Sequence, residues 1–592
     1  MPVLPLRIPA AIWFSSASFL ALAAAAEPPA FTTPVLAPAN GADTWTATDA
    51  LGRRVTDHAP APRPDRYVGM FYFIWLGAHG YDRASGSTDQ SVQPPQATDI
   101  TSPYDLSRIL AANPAEPAYG PVRAFHHWGE PYLGYYVSND EWVIRKHAQL
   151  LADAGVDVIF FDVTNSRLYL PTVLKVAEVF AALRAEGRST PALSFLLHKG
   201  IPKVATQLHE EFFLKNIHRD LWFVWKGKPL ILANPAELTP EQREFFSVRE
   251  SWAWTTGKQG AWFGDGRDKW PWIDHHPQTP GWHESPAQPE ELPVAVAQHP
   301  VNNIGRSFHD RQQPPPGQEQ SGLGLHFAEQ WERALAVDPE LVFVTGWNEW
   351  VAMRLTDGRA QFMTGRPVAQ GETFFVDTYS PEFSRDIEPV RGGFTDNYYY
   401  QLVSYIRRFK GARAAPRDSS PAAITIDGNF ADWDGVTATY HDDVDDITPR
   451  DHYGWGRIGR YENHSGRHDL VRAQVAADAA HVYFRLETRA PLGSATLPSG
   501  LCLWLRTVAG NFVINGSATG DWHPVAADLV ALHGNGVELS VPRAALGLAT
   551  TPLTLEFKWT DNCAYGADPL HAYDQGDAAP DGRFFYRYTF QP

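Results

Sequence analysis

Apolar positions change their spacing twice along the chain. VGMFYFIW (68–75) is an unbroken apolar and aromatic run, as expected of a strand covered on both faces. DEWVIRKHAQLLADAG (140–155) has apolar residues at helical spacing and ends at Gly155, which predicts a helix. The alternation continues with a strand at VDVIFFDV (156–163), a helix at TVLKVAEVFAALRAEG (172–187), a strand at PALSFLLH (191–198) and a helix over 202–214. KPLILANP (228–235) is a further strand, and TPEQREFF (239–246) opens a helix. ESWAWTT (250–256) and PVAVAQHP (293–300) read as strands, FAEQWERALAVDPE (327–340) as a helix, LVFVTGWNEW (341–350) as a strand and NYYYQLVSYIRRFKG (397–411) as the last helix.

Buried strands alternating with helices predict a parallel α/β sheet, and the number of units over 67–411 predicts a closed (β/α)8 TIM-like barrel. An open doubly wound sheet is disfavoured, because no glycine-rich phosphate loop follows the first strand. Insertions at 76–139 and 257–292 follow strand C-termini, the face on which barrel enzymes build their sites. Residues 412–420 (ARAAPRDSS) read as a linker. Beyond it, AITIDG, LVRAQVAA, HVYFRLET, LCLWLR, NFVING, VELSV and LTLEFKW alternate at short range, which predicts an all-β sandwich over 421–592. Residues 1–26 end an apolar run in small residues, the pattern of a cleaved secretory signal, and 27–66 is an extended lead-in. No later stretch reaches the ~20 apolar residues of a membrane span. A secreted or periplasmic protein with no membrane contact after cleavage is expected.

Composition narrows the partners. With 50 basic and 67 acidic residues the net charge is −17, so a nucleic-acid partner is excluded as an expectation. Aromatic residues make up 13% of the chain, which suits stacking on the flat faces of sugars. The two cysteines, Cys502 and Cys563, are either a disulfide or two separate buried thiols. No HExxH, GxSxG or close ligand spacing is present, so no metal and no other cofactor is expected.

Candidate chemistry collects at predicted strand ends. Asp162, His198, His299 and Glu349 each end such a strand, and in a barrel all four would face one rim. Glu349, between Trp347, Asn348 and Trp350, is the leading catalytic candidate. Cleavage of a glycosidic bond commonly takes two carboxyl groups, and Asp162 and Glu284 are the candidate partners. Trp347, Asn348, His126, His127, Trp128, Glu130, His198, Trp254 and His299 are candidate sugar-binding residues. Trp262, Trp270, Trp272, Trp282 and His283 stud the second insertion, which either covers the site or packs on itself. In the predicted sandwich, Trp455, Trp504 and Trp522 are candidate stacking residues, with core packing the alternative for Trp504. HDDVDD (441–446) reads as a solvated acidic loop or as a set of oxygen ligands for calcium.

VGMFYFIW, EWVIRKHAQLLADAGVDVIFFDVT, GKPLILANP and VTGWNEW together resemble glycoside hydrolase family 99 and its WNEW-bearing relatives, over roughly 67–411. The resemblance implies a (β/α)8 barrel acting on α-linked glycans, with the WNEW glutamate assisting attack through the sugar 2-hydroxyl. Glu349 matches it. The family's general acid lies three residues further on, where this chain has Ala352. ITIDGNFADWDG (424–435) and AADAAHVYFRLET (476–488) resemble family 9 carbohydrate-binding modules. The expectation is therefore a secreted glycoside hydrolase of poly- or oligosaccharides. A non-catalytic glycan-binding protein and a polysaccharide lyase are the alternatives.

Overall fold

A computed structural model describes residues 40–56, 58–77, 106, 109, 120, 122–298, 304–356, 362–363, 366–375, 378–418, 424–455, 458–548 and 552–591. The signal-like segment, most of the insertion after the first strand, and His299 lie outside these residues.

Seven parallel strands build one curled sheet. They are β1 (Tyr67–Tyr72), β2 (Val158–Asn165), β3 (Ala192–Lys199), β4 (Lys228–Leu232), β5 (Ser247–Arg249), β6 (Pro289–Ala295) and β7 (Leu341–Thr345). Their order is β5–β4–β3–β2–β1–β7–β6, so β1 is an interior strand, with Val68 opposite Val342 on one side and Gly69 opposite Val158 on the other. Helices α1 (Glu141–Ala154), α2 (Leu170–Ala185), α3 (Ile201–Leu208), α4 (Pro240–Phe245), α5 (Leu325–Val337) and α6 (Asn397–Lys410) accompany the strands. The result is a curled half-barrel rather than the closed eight-stranded barrel expected from the pattern. Where ESWAWTT was expected to add a strand, only isolated parallel bridges form, from Glu250 to Lys269 and from Ala253 to Ile273. Two local features stop the ladder there: Trp254 takes φ 57°, and Pro271 in the facing segment has no N–H to donate.

Local chemistry fixes the element ends. The Asp140 carboxylate accepts from the amides of Trp142 and Val143 at the start of α1, and Gly155 (φ 88°) ends it in the left-handed region. Thr239 and Gln242 cap α4 reciprocally. Gly69 is needed for room: a Cβ there would lie 2.4 Å from the Phe160 ring, which packs against Phe343 inside the curl.

The C-terminal region forms two larger sheets and a two-stranded ribbon of 450–453 with 460–463. One runs in the order 417–418, 586–590, 553–561, 501–507, 510–514 and 522–524, with 577–579 also on 553–561; the other runs 439–441, 470–477, 481–488, 536–542 and 529–533. Phe484 and Phe557 meet between them at 5.9 Å. Residues 424–428 form no strand; Thr425 N–H instead donates to Asp432. Trp455, Trp504 and Trp522 are buried, so none offers an open face for a sugar. Cys502 and Cys563 are separate buried thiols. The acidic loop 442–446 is largely buried rather than solvated.

Residues 40–56 stitch the molecule together. Thr46 bridges Phe585, Trp45 packs edge-on to Phe584 and Tyr586, and Arg407 of α6 donates to the carbonyls of Trp45 and Ala42. One buried apolar cluster runs from Ala42 through the curled sheet to Phe590. Among the described residues no helix is long and apolar enough to cross a membrane.

Candidate active site

Glu349 follows the C-terminal end of β7, which lies beside β1. The chain between them is pinned: Trp347 N–H donates to Phe71 O, and Asn348 exchanges hydrogen bonds with both backbone groups of Phe73. Asn348 Nδ2 also lies 3.4 Å from the Tyr136 hydroxyl, so its polar atoms are spent on holding β1 and are not offered to a ligand. Trp347 is fully buried, edge-on to His147 and Tyr399, and is likewise part of the support. Beneath it a buried chain runs from the Tyr72 hydroxyl to His147 Nδ1 (2.8 Å), from His147 Nε2 to Glu388 (3.2 Å), and from Glu388 to the Tyr136 hydroxyl and Trp350 Nε1.

Three groups hold Glu349, a residue only 8% exposed. Arg385 Nη2 donates to its Oε2 at 2.5 Å. Asp386 Oδ1 accepts from its backbone N–H at 2.5 Å. Trp128 Nε1 donates to its carbonyl, and Trp128 stacks on Trp350 at 4.6 Å. Asp386 is completely buried; burial, opposed by the Glu349 amide and by Arg385, raises its carboxyl to about 7. Among the described residues its Oδ2 has no hydrogen-bond partner.

An aromatic arc leads away from this pair. The Arg385 guanidinium lies 5.5 Å from the Trp272 ring, Trp272 lies 6.1 Å from Trp252, and Trp252 stacks on His198 with ring centroids 3.3 Å apart. Trp272, Trp252 and His198 are all half-buried, and His198 is held below its ordinary value by burial and then by Lys199. On the neighbouring strand end, Asp162 Oδ2 accepts from Trp75 Nε1 at 2.9 Å, while its Oδ1 takes the amide and hydroxyl of Thr164. Trp75 stacks parallel to Tyr169 at 6.1 Å. Asp162 therefore stands at the same sheet edge as Glu349, as an acceptor that anchors a rim tryptophan.

Other expected site residues fall elsewhere. Glu284 is exposed, 3.5 Å from His283, just past Trp282; Trp282 pairs with Pro289 at the start of β6, the opposite end of the sheet from Glu349. The antiparallel run of 281–282 against β6 carries that loop down the sheet, away from the rim. His126 and His127 are fully buried in strand 125–127, which pairs with 351–355. Burial, then His126, lowers His127 to about 3, so it stays neutral between Tyr135 and Trp455. Trp128 is buried, as described. Glu130 pairs with Arg391 at 3.1 Å. Trp254 is buried and donates to Gln298. His299 lies outside the described residues. Within the second insertion, Trp272 reaches the arc, whereas Trp270 donates to buried Glu290 and Trp262 donates to Trp254 O.

Arg385, Asp386 and Trp252 are absent from the sequence-based set. SRDIEPV (384–390) shows no apolar period, and a charged pair in such a stretch reads as surface until its burial is seen.

No family model and no curated protein matches this chain. Two solved structures of the GH99 endo-alpha-mannosidase from Bacteroides thetaiotaomicron are similar to it. One, in complex with BIS-TRIS-propane, has 13% identity and a TM-score of 0.30, covering 58% of this chain and 98% of that one. The other has 14% identity and a TM-score of 0.29, covering 59% and 99%. At these TM-scores the similarity carries no functional weight.

Proposed function

We propose that the protein is a glycoside hydrolase of poly- or oligosaccharides, exported from the cell, with Glu349 as its essential carboxylate. The observation that carries this reading is the Glu349–Arg385 pair at the C-terminal edge of the sheet, with the Trp272–Trp252–His198 arc running from it. A carboxylate held by a guanidinium is an acceptor: it takes a proton from an attacking hydroxyl or stabilises positive charge at the anomeric carbon. Half-buried tryptophans supply apolar faces for sugar rings, and their edges leave hydroxyls to water. Asp162 is the second carboxylate of this reading, set beside the substrate through Trp75. Glu284 has no part in it.

Glu349→Gln keeps size and hydrogen-bonding shape and removes the charge. Reducing-sugar release should fall by at least ~100-fold with the melting temperature near wild type. Near-normal turnover removes Glu349 from the mechanism and with it this reading.

One observation favours a glycan-binding protein without catalysis. Ala352, aligned with the acid of the resembled family, is buried in strand 351–355 opposite His126, where no side chain could protonate a leaving group. Incubation with plant, algal and bacterial polysaccharides separates the readings: retention on a glycan without released sugar supports binding alone.

A further inference from the structure

The C-terminal sheets meet α1 across a layer of buried acid. Asp153, Asp442, Asp446, Asp469, Asp577 and Asp581 are each less than a tenth exposed. Basic groups answer some of them: Lys146 lies 3.7 Å from Asp581 and 4.0 Å from Asp446, and Arg188 pairs with neighbouring Asp443 at 2.8 Å. Among the described residues no basic side chain lies within 4.0 Å of Asp442 or Asp577. A charge left in that state is costly, so it is either neutralised by a proton or balanced by a cation.

Two independent features mark one spot. One oxygen each from Asp442, Asp446 and Asp577 lies within 4.8 Å of the others. Separately, Asp442 Oδ2, Asp446 Oδ1 and Asp577 Oδ1 are buried with no hydrogen-bond partner. The second oxygens of two of them are held: Asp446 Oδ2 accepts from Gln149 of α1 at 3.2 Å, and Asp577 Oδ2 accepts from the Leu470 amide at 2.6 Å. These bonds orient the carboxylates and leave the other oxygens unused. A cavity of about 20 Å³ borders Asp446, Asp577 and Asp581, which is room for about one water molecule.

We propose that Asp442, Asp446 and Asp577 bind one calcium ion, which clasps the 442–449 loop to strand 577–579 beneath α1. The donors are all oxygen, with no thiol or imidazole, so the ion is a hard cation. The three oxygens lie within 4.8 Å of one another, a spread that calcium–oxygen bonds of ~2.4 Å can span, and calcium accepts irregular sets of carboxylates where magnesium keeps a strict octahedron and most of its waters. The clasp is independent of the glycosidase reading and stands if that reading fails.

The test uses the full chain, dialysed against EGTA and then titrated with calcium chloride in a calorimeter and in thermal melts. One ion should bind per chain, and for micromolar affinity 1 mM calcium should raise the melting temperature by about 2–3 °C. Magnesium at the same concentration should do much less. The Asp442→Asn, Asp577→Asn double variant should bind no calcium and show no calcium shift. In EGTA it should melt no lower than wild type, because two repelling charges are gone. If wild type neither binds calcium nor melts higher with it, the proposal is overturned whether or not the variant folds. A variant that keeps the calcium response also overturns it, and an equal shift with magnesium overturns the choice of calcium.

Discussion

Asp386 shows how a residue that touches no ligand can govern a site. Its carboxyl accepts the Glu349 amide from a fully buried position, and burial moves it from an ordinary 3.8 to about 7. The fold thus favours the protonated form. That stabilisation is complete below about pH 4 and is lost as pH rises through about 7. Asn cannot ionise and can still accept the Glu349 N–H. Asp386→Asn should therefore match wild type near pH 4 and melt progressively higher than wild type up to about pH 7, levelling off beyond. Other buried aspartates titrate in both proteins and cancel in the difference. A melting difference that stays flat between pH 4.5 and 8 would count against this. Trp252 acts on another quantity. It stacks on His198 and lies two rings from Arg385, so Trp252→Ala should raise KM by about tenfold, the worth of one lost aromatic contact, while kcat stays within about twofold. A large loss in kcat with KM unchanged would show that the arc does not bind sugar.

At the scale of elements, the legible parts were those written in local periodicity. α1 is found within a residue of its predicted ends, because Asp140 and Gly155 are capping residues that announce themselves. Gly155→Ala checks this directly. The position has φ 88°, and a Cβ would also come within 3.1 Å of Ile406 on α6, so the change should cost about 1–2 kcal/mol, read as a lower urea midpoint. Strand β7 ends five residues before the apolar pattern predicts, because the two tryptophans of GWNEW extend the aromatic run and the tertiary hydrogen bonds of Trp347 and Asn348 take it off the sheet. ESWAWTT failed for the same reason: aromatic alternation cannot show that Trp254 turns the chain or that the facing segment holds a proline. Glu349 and Asp162 were readable as strand-end carboxylates at one edge. Glu284 lies away from that edge, because the direction of its loop is set by pairing with β6. The burial of His126 and His127 was not legible, because sequence gives polarity and not depth.

On the scale of the whole molecule, the curled sheet and the C-terminal sheets share buried charge as well as apolar surface. Asp140 pairs with Arg450 at 2.7 Å and Asp396 with Arg583 at 2.7 Å, each pair joining the two regions through side chains almost out of solvent. Separating the regions would leave each ion without its partner in a low-dielectric setting. Scanning calorimetry should accordingly show a single unfolding transition, and two resolved peaks would mean that the regions hold together independently. The segment around Trp45 carries the consequence furthest. Thr46 takes its place only against Phe585, a partner 539 positions away. At a synthesis rate of ~5–20 residues per second, that partner emerges from the ribosome about half a minute to two minutes later. Throughout that interval an aromatic side chain built for the interior has nowhere to go, and the newborn chain must be shielded at its front until its tail arrives.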